Sequence, residues 1–196
     1  MIKFRFPSIT RVCIERRLKG IFKKMKKGKV LYIGTNTNVY RDIIPYTKFI
    51  TLDIDKNLNP DIISDIHNIK IKDSQFDTII VLQVLEHCYN PKKAMREVYR
   101  VLKRGGTTVV SVPFLFHYHG CPKDYYRFTE DSLKYIFKNF KKVKIIPVGN
   151  KFLVIWQLLS AGIFKPLFHL LNPLVAYFDF GAKTRFALNY ILIAQK

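Results

Sequence analysis

Acidic residues are scarce in this chain. Fourteen Asp and Glu face 34 Lys and Arg, a net charge of +20 at pH 7. That excess predicts an anionic partner: nucleic acid, an acidic lipid surface or a phosphorylated substrate. Cysteine is also sparse. Cys13, Cys88 and Cys121 are the three present, and no two have CxxC spacing. Neither a disulfide framework nor a zinc site is expected, and a reducing, cytoplasmic compartment fits. No charged start, apolar stretch and cleavage site open the chain, so no secretory signal is expected. Low-complexity tracts and internal repeats are missing. With 48% hydrophobic residues, wholesale disorder is excluded.

The basic residues are unevenly placed. Residues 1–29 hold eleven Lys and Arg against the single Glu15, half of the net charge. Within them, residues 8–27 read as an amphipathic helix capped by Ser8, with Ile14, Leu18, Ile21, Phe22 and Met25 at helical spacing. The basic face is either a solvated surface or a contact for lipid head groups or phosphates.

From Gly28 strands and helices alternate. Apolar runs at Lys29–Ile33, Phe49–Asp53, Asp61–Ser64, Phe76–Leu82 and Thr107–Phe114 suit buried parallel strands. Val143–Val148 and Leu188–Ala194 read as two more. Asn90 and Pro91 open a helix with Ala94, Val98, Val101 and Leu102 on its apolar stripe, closed by Gly105-Gly106. Another follows Thr129. The order predicts an α/β, Rossmann-like, doubly wound sheet with helices on both faces. Residues 152–178 are nearly all apolar, but Lys165-Pro166 and Asn172-Pro173 divide them into two short helices, each too short to span a bilayer. The expected organisation is a basic helix over residues 1–27 and one domain over 28–196, with an apolar helical insertion at 152–180 before the last strand. The insertion packs on the sheet, joins two subunits or dips into a membrane surface.

Ligands of such sheets bind beyond the carboxyl ends of the strands, where strand order reverses. The first such turn here is Gly34-Thr35-Asn36-Thr37-Asn38, with one glycine and two asparagines, the residue type that best tolerates positive φ after glycine. Asp53 lies nineteen residues after Gly34 and can take the two hydroxyls of a ribose, with Asp55 as its near rival. Asp65 ends the third strand and is read as a ligand residue or a helix cap.

Three further segments belong together: LEH at 85–87, RVLKRGG at 100–106 and DYYRFT at 124–129. With Gly34 and Asp53, they make the chain resemble the class I S-adenosylmethionine-dependent methyltransferases. The nearest kind is the small methyltransferase-domain proteins associated with surface-glycan and lipid-carrier biosynthesis. The resemblance runs from Gly28 to Phe140 and resumes in the closing strand. It implies seven strands with the last antiparallel. It also implies S-adenosylmethionine as cofactor, lying over Gly34, Thr35, Asn36, Asp53, Ile54, Asp65, Ile66, Leu82 and Gln83. Tyr32 stands where the family usually has an acid, and Asn36 and Asn38 stand for two of its glycines. In some quinone O-methyltransferases an acid three residues before Glu86 completes a divalent-metal set; Gln83 is there instead, and no metal is expected. Glu86 and His87 are expected to bond neighbouring loops.

The loop after the fifth strand should cover the acceptor. His119 is the candidate base, since an imidazole titrates near neutrality. Asp124 and Tyr125 are the other catalytic candidates, and an Asp124–Arg127 ion pair that folds the loop is the alternative. The expected reaction is methyl transfer to a hydroxyl or similar nucleophile of a small, glycan or lipid-linked acceptor, with peripheral contact to an anionic membrane at its inner face. Two readings compete: a cofactor-free scaffold that docks on membranes or a partner, and a nucleic-acid-binding or -modifying protein. The last is disfavoured because no nucleic-acid module is recognised. A homodimer remains open.

Overall fold

The computed structural model describes residues 7–34, 40–120, 123–160, 165–179 and 186–196. Its centre is a seven-stranded sheet in the order β3-β2-β1-β4-β5-β7-β6. The strands are β1 (Gly28–Ile33), β2 (Tyr46–Asp53), β3 (Ile62–Ile63), β4 (Phe76–Leu82), β5 (Leu102–Pro113), β6 (Lys142–Val148) and β7 (Asn189–Gln195). The first five pair in parallel, and β7 runs antiparallel between β5 and β6. The sheet is therefore doubly wound with seven strands and an antiparallel last strand, as the resemblance implies.

The central strands form because both their faces are apolar. Ile79, Ile80 and Val81 of β4, and Val109 and Val110 of β5, have no accessible surface. Each buried side chain of this size contributes about 1.5–3 kcal/mol. Pro147, which cannot donate to a ladder, sits in β6 at the sheet edge, where such a residue is tolerated.

Helices cover both faces. On one lie α2 (Pro91–Val101) and α3 (Glu130–Ile136), whose Ala94, Val98 and Leu133 join Leu31, Ile79 and Val110. On the other lie α1 (Ile9–Phe22), α4 (Lys151–Leu159) and α5 (Lys165–Val175). There Ile9, Cys13, Leu18 and Phe22 of α1 meet Val30, Tyr32 and Ile80 from the strands, and Leu153 and Val175 from the helices. The polar side of α1 reaches across to the following turn. Arg17 pairs with Asp179, and the Arg16 guanidinium lies 4.9 Å from the centre of the Tyr177 ring. Ser8 caps α1 by accepting from the Arg11 amide, and Asn90 caps α2 with Pro91 at its first position.

Two local expectations are corrected. Gly105-Gly106 does not close α2. The helix ends at Val101, and β5 begins at once with both glycines inside it. The pairing partner of the Phe76–Thr78 stretch jumps from Leu102 to Thr107, an irregularity that Gly105 absorbs with φ +75°. Asn172-Pro173 does not break the second apolar helix, because α5 runs on to Val175. Asn172 is fully buried, accepts from the Trp156 indole and donates to the Pro7 carbonyl. These tertiary bonds hold the turn that lacks the proline's amide.

The insertion itself forms two helices, as expected from its prolines. It leaves from Val148 and returns at Asn189, which are paired with each other. Since β6 runs parallel to β5, both points lie at the edge of the sheet where β1, β4 and β5 end. The apolar helices thus start from the same edge as the expected ligand site.

Candidate functional site at the carboxyl ends of the strands

Strand order reverses between β1 and β4, which marks the ligand-binding edge of such a sheet beyond Ile33 and Val81. Gly34 stands at this point. Its φ is +85°, and a Cβ there would lie 2.3 Å from Val84 Cγ2. Its amide donates to the Leu52 carbonyl, which ties it to the end of β2. Thr35, Asn36, Thr37 and Asn38 lie outside the described residues. Asp53 ends β2, and its carboxylate accepts from the Asp55 amide. Asp55 instead caps a short 3-10 turn through the Asn57 amide. Ile54 stands out into solvent, 67% exposed.

Just after β3, Asp65 accepts from both the amide and Nδ1 of His67. The His67 ring stacks on Tyr89 at 4.1 Å. Ile66 is buried in the core beneath. Leu82 closes β4, and Gln83 follows with φ +53°, unusual for a residue with a side chain. Gln83 is held by the Ser111 carbonyl and hydroxyl and by Asn189. Backbone held in this region is characteristic of ligand sites. Gly34, Asp53, Ile54, Asp65, Ile66, Leu82 and Gln83 thus share one edge of the sheet. Tyr32 does not: it is buried on the α1 side, stacked on Phe49, and burial pushes its phenol up to about 12.

Residues 37–110 match the family model described as a methyltransferase domain. An uncharacterized protein of Methanocaldococcus jannaschii is 30% identical over 111 residues, 52% of each chain, so this chain spans about half the length of that relative. Two solved structures share the architecture. A SAM-dependent methyltransferase from Archaeoglobus fulgidus has 16% identity and a TM-score of 0.60, covering 95% of this chain and 93% of its own. The phosphoethanolamine N-methyltransferase 2 of Haemonchus contortus, solved with S-adenosyl-L-methionine, has 15% identity and a TM-score of 0.62, covering 95% of this chain and 52% of its own. The chain has the class I methyltransferase fold.

In this methyltransferase fold, the loop after β5 is clamped to the segment after β4. The Tyr125 amide donates to the Glu86 carbonyl, and the Tyr126 hydroxyl donates to the Tyr89 carbonyl. His87 Nδ1 bonds the Lys123 carbonyl. Asp124, with its side chain 1% exposed, accepts two bonds from Arg127 and one from the His119 amide. Arg127 holds its carboxyl well below the usual range. Asp124 and Arg127 therefore fold the loop, the alternative weighed for them from sequence. The Tyr125 side chain is exposed beside them.

His119 comes to the centre of this arrangement. Its Nδ1 lies 3.3 Å from Asp124 Oδ2 and its Nε2 4.0 Å from Glu86 Oε1. Arg127 Nη2 donates to the same Nδ1 at 3.4 Å, as well as to Asp124 and the His117 carbonyl. Nδ1 thus lies between the Arg127 guanidinium and the Asp124 carboxylate. Burial holds the imidazole below its ordinary value, against the pull of Asp124.

Glu86 is the residue whose weight the sequence understates. Its backbone bonds the loop, as expected, but its side chain does not. The carboxylate is fully buried, and neither oxygen has a hydrogen-bond partner among the described residues. Burial pushes it up to about 8. The LEH spacing marks Glu86 and His87; nothing in the linear order marks His119 as their neighbour.

Proposed function

We propose that this chain transfers a methyl group from S-adenosylmethionine to an oxygen of a small, glycan or lipid-linked acceptor at a membrane surface. The supporting observation is the strand-order reversal between β1 and β4, with Gly34 at φ +85° just after β1 and Asp53, Ile54 and Asp65 at the same edge of the sheet. These residues fit the cofactor. Gly34 lets backbone approach the methionine portion, Asp53 suits the ribose hydroxyls, and Asp65 with Ile66 and the exposed Ile54 suits the adenine. When bound, the cofactor would supply an electrophilic methyl group on sulfur, and an acceptor hydroxyl methylated by it would release a proton. His119 takes that proton, its ring held between Asp124 and Arg127. Holding the acceptor in line is the larger contribution of the loop.

The membrane part of the proposal rests on the outer surface of the insertion. Ile155, Leu158 and Leu159 of α4, and Leu167, Leu170 and Leu174 of α5, are each about half exposed or more. Tyr177 and Phe178 continue the patch to the basic helix α1. An apolar surface beside a basic one suits anionic lipid. Among the described residues no helix is long and apolar enough to cross a membrane.

Calorimetric titration with S-adenosylmethionine and its demethylated product tests the cofactor site. Micromolar binding, weakened more than tenfold by Asp53→Ala, is expected. A folded chain that binds neither at millimolar concentration would favour the scaffold reading. Trp156, the single tryptophan, sits in α4 beside the exposed Ile155 and reports changes in the surroundings of the insertion. Its emission should shift blue with phosphatidylglycerol vesicles, and Leu158→Glu should weaken binding at least tenfold. Stronger binding to generic RNA at matched salt would overturn the membrane part.

A further inference from the structure

Three electron-rich atoms converge beneath the loop after β5. Nε2 of His87 and Nε2 of His119 each lie 4.0 Å from Glu86 Oε1, and all three atoms fall within 4.8 Å of one another. The tautomer of His87 follows from its other contact. The Lys123 carbonyl can only accept, so His87 carries its proton on Nδ1. Nδ1 of His119 lies between Asp124 and the Arg127 guanidinium. His87 thus turns its Nε2 lone pair, and His119 its Nε2 atom, toward a carboxyl group that is fully buried and has no hydrogen-bond partner among the described residues. At 4.0 Å the contacts are too long for hydrogen bonds.

We propose that Glu86, His87 and His119 form a binding site for one divalent first-row transition-metal ion. Nδ1 of His87 is fixed by a carbonyl, the support that orients metal-binding imidazoles, and Asp124 Oδ2 lies 3.3 Å from Nδ1 of His119. Two imidazoles and one carboxylate suit Zn²⁺ or Co²⁺ better than Mg²⁺, which prefers oxygen ligands. Metal–nitrogen and metal–oxygen bonds are about 2.0–2.2 Å, so the three atoms need to close by about 1 Å around an ion. Gln83 takes no part, being bonded to Ser111 and Asn189. The third ligand comes instead from a loop 32 residues beyond His87.

Glu86 is sealed inside, while His119 is 32% exposed on the side of the acceptor loop. Three protein ligands leave positions for an oxygen of the acceptor. On the methyl-transfer reading, the ion would polarise that oxygen and ease loss of its proton, the task His119 performs when no metal is bound.

The test uses the full untagged chain, stripped with chelator and dialysed against Zn²⁺ or Co²⁺ without cofactor. One equivalent should bind, with visible Co²⁺ absorption of a low-symmetry nitrogen-containing site. His119→Ala and the near-isosteric Glu86→Gln should each lower affinity at least tenfold while the circular dichroism spectrum is unchanged. A folded wild-type chain that takes up neither ion would overturn the site, as would uptake unaltered in both variants. Because cofactor is absent throughout, failure here is separate from failure of the cofactor titration.

Discussion

Replacing Gly34 with alanine perturbs the ligand-binding edge of the sheet at one atom. Two costs follow from its position. A φ of +85° lies in the left-handed region, where a Cβ costs about 1–2 kcal/mol. The new Cβ would also lie 2.3 Å from Val84 Cγ2, and overpacking of this kind costs about 1–3 kcal/mol. Destabilisation of about 2–5 kcal/mol is expected, a large share of a typical domain's stability. Urea unfolding should show a lower midpoint with an unchanged slope. Val84→Ala separates the two costs, since it removes the obstructing methyl and leaves the backbone strained. In the double variant the steric part should be recovered as a coupling energy of about 1–3 kcal/mol. Cofactor affinity should remain depressed there. A single variant as stable as the parent, or strictly additive effects, would refute this account of the turn.

Other predictions concern the frame around the site. Arg100 donates to Glu97, Asp73 and the carbonyls of Ile69 and Ile71, so Arg100→Met should cost about 2–3 kcal/mol in the same unfolding assay. The Arg100 guanidinium holds the Glu97 carboxyl below its ordinary value. That pair's stabilisation is therefore present above the unfolded carboxyl range and lost as pH falls through the lowered folded value. The gap between parent and Glu97→Gln should be constant near neutrality and close in acid. Asn172→Ala leaves the Trp156 indole and the Pro7 carbonyl without their partner; about 1–3 kcal/mol and a change in Trp156 emission are expected.

Much of the fold is legible in one dimension because its signals are local. Phe76–Leu82 reads as a buried strand since both its faces are apolar, and Asn90-Pro91 opens a helix because those two residues satisfy and spare the first amides. The positions of Gly34 and Asp53 are likewise local, being the residues where strands end. Gly105-Gly106 and Asn172-Pro173 read as stops by the same rules, yet neither ends its element where expected. Strand pairing with β4 and the side-chain bonds of Asn172 outweigh the local preference.

What sequence alone determined, then, is the order of strands and helices, the reversal point and the basic and apolar surfaces, all set by neighbours a few residues apart. Tertiary structure alone decided which polar groups meet. Glu86 became an unpaired carboxylate facing His87 and His119 because the loop after β5 closes over the end of β4. That convergence brings His119 to residues 32 and 33 positions earlier in the chain, and no periodicity or spacing records it.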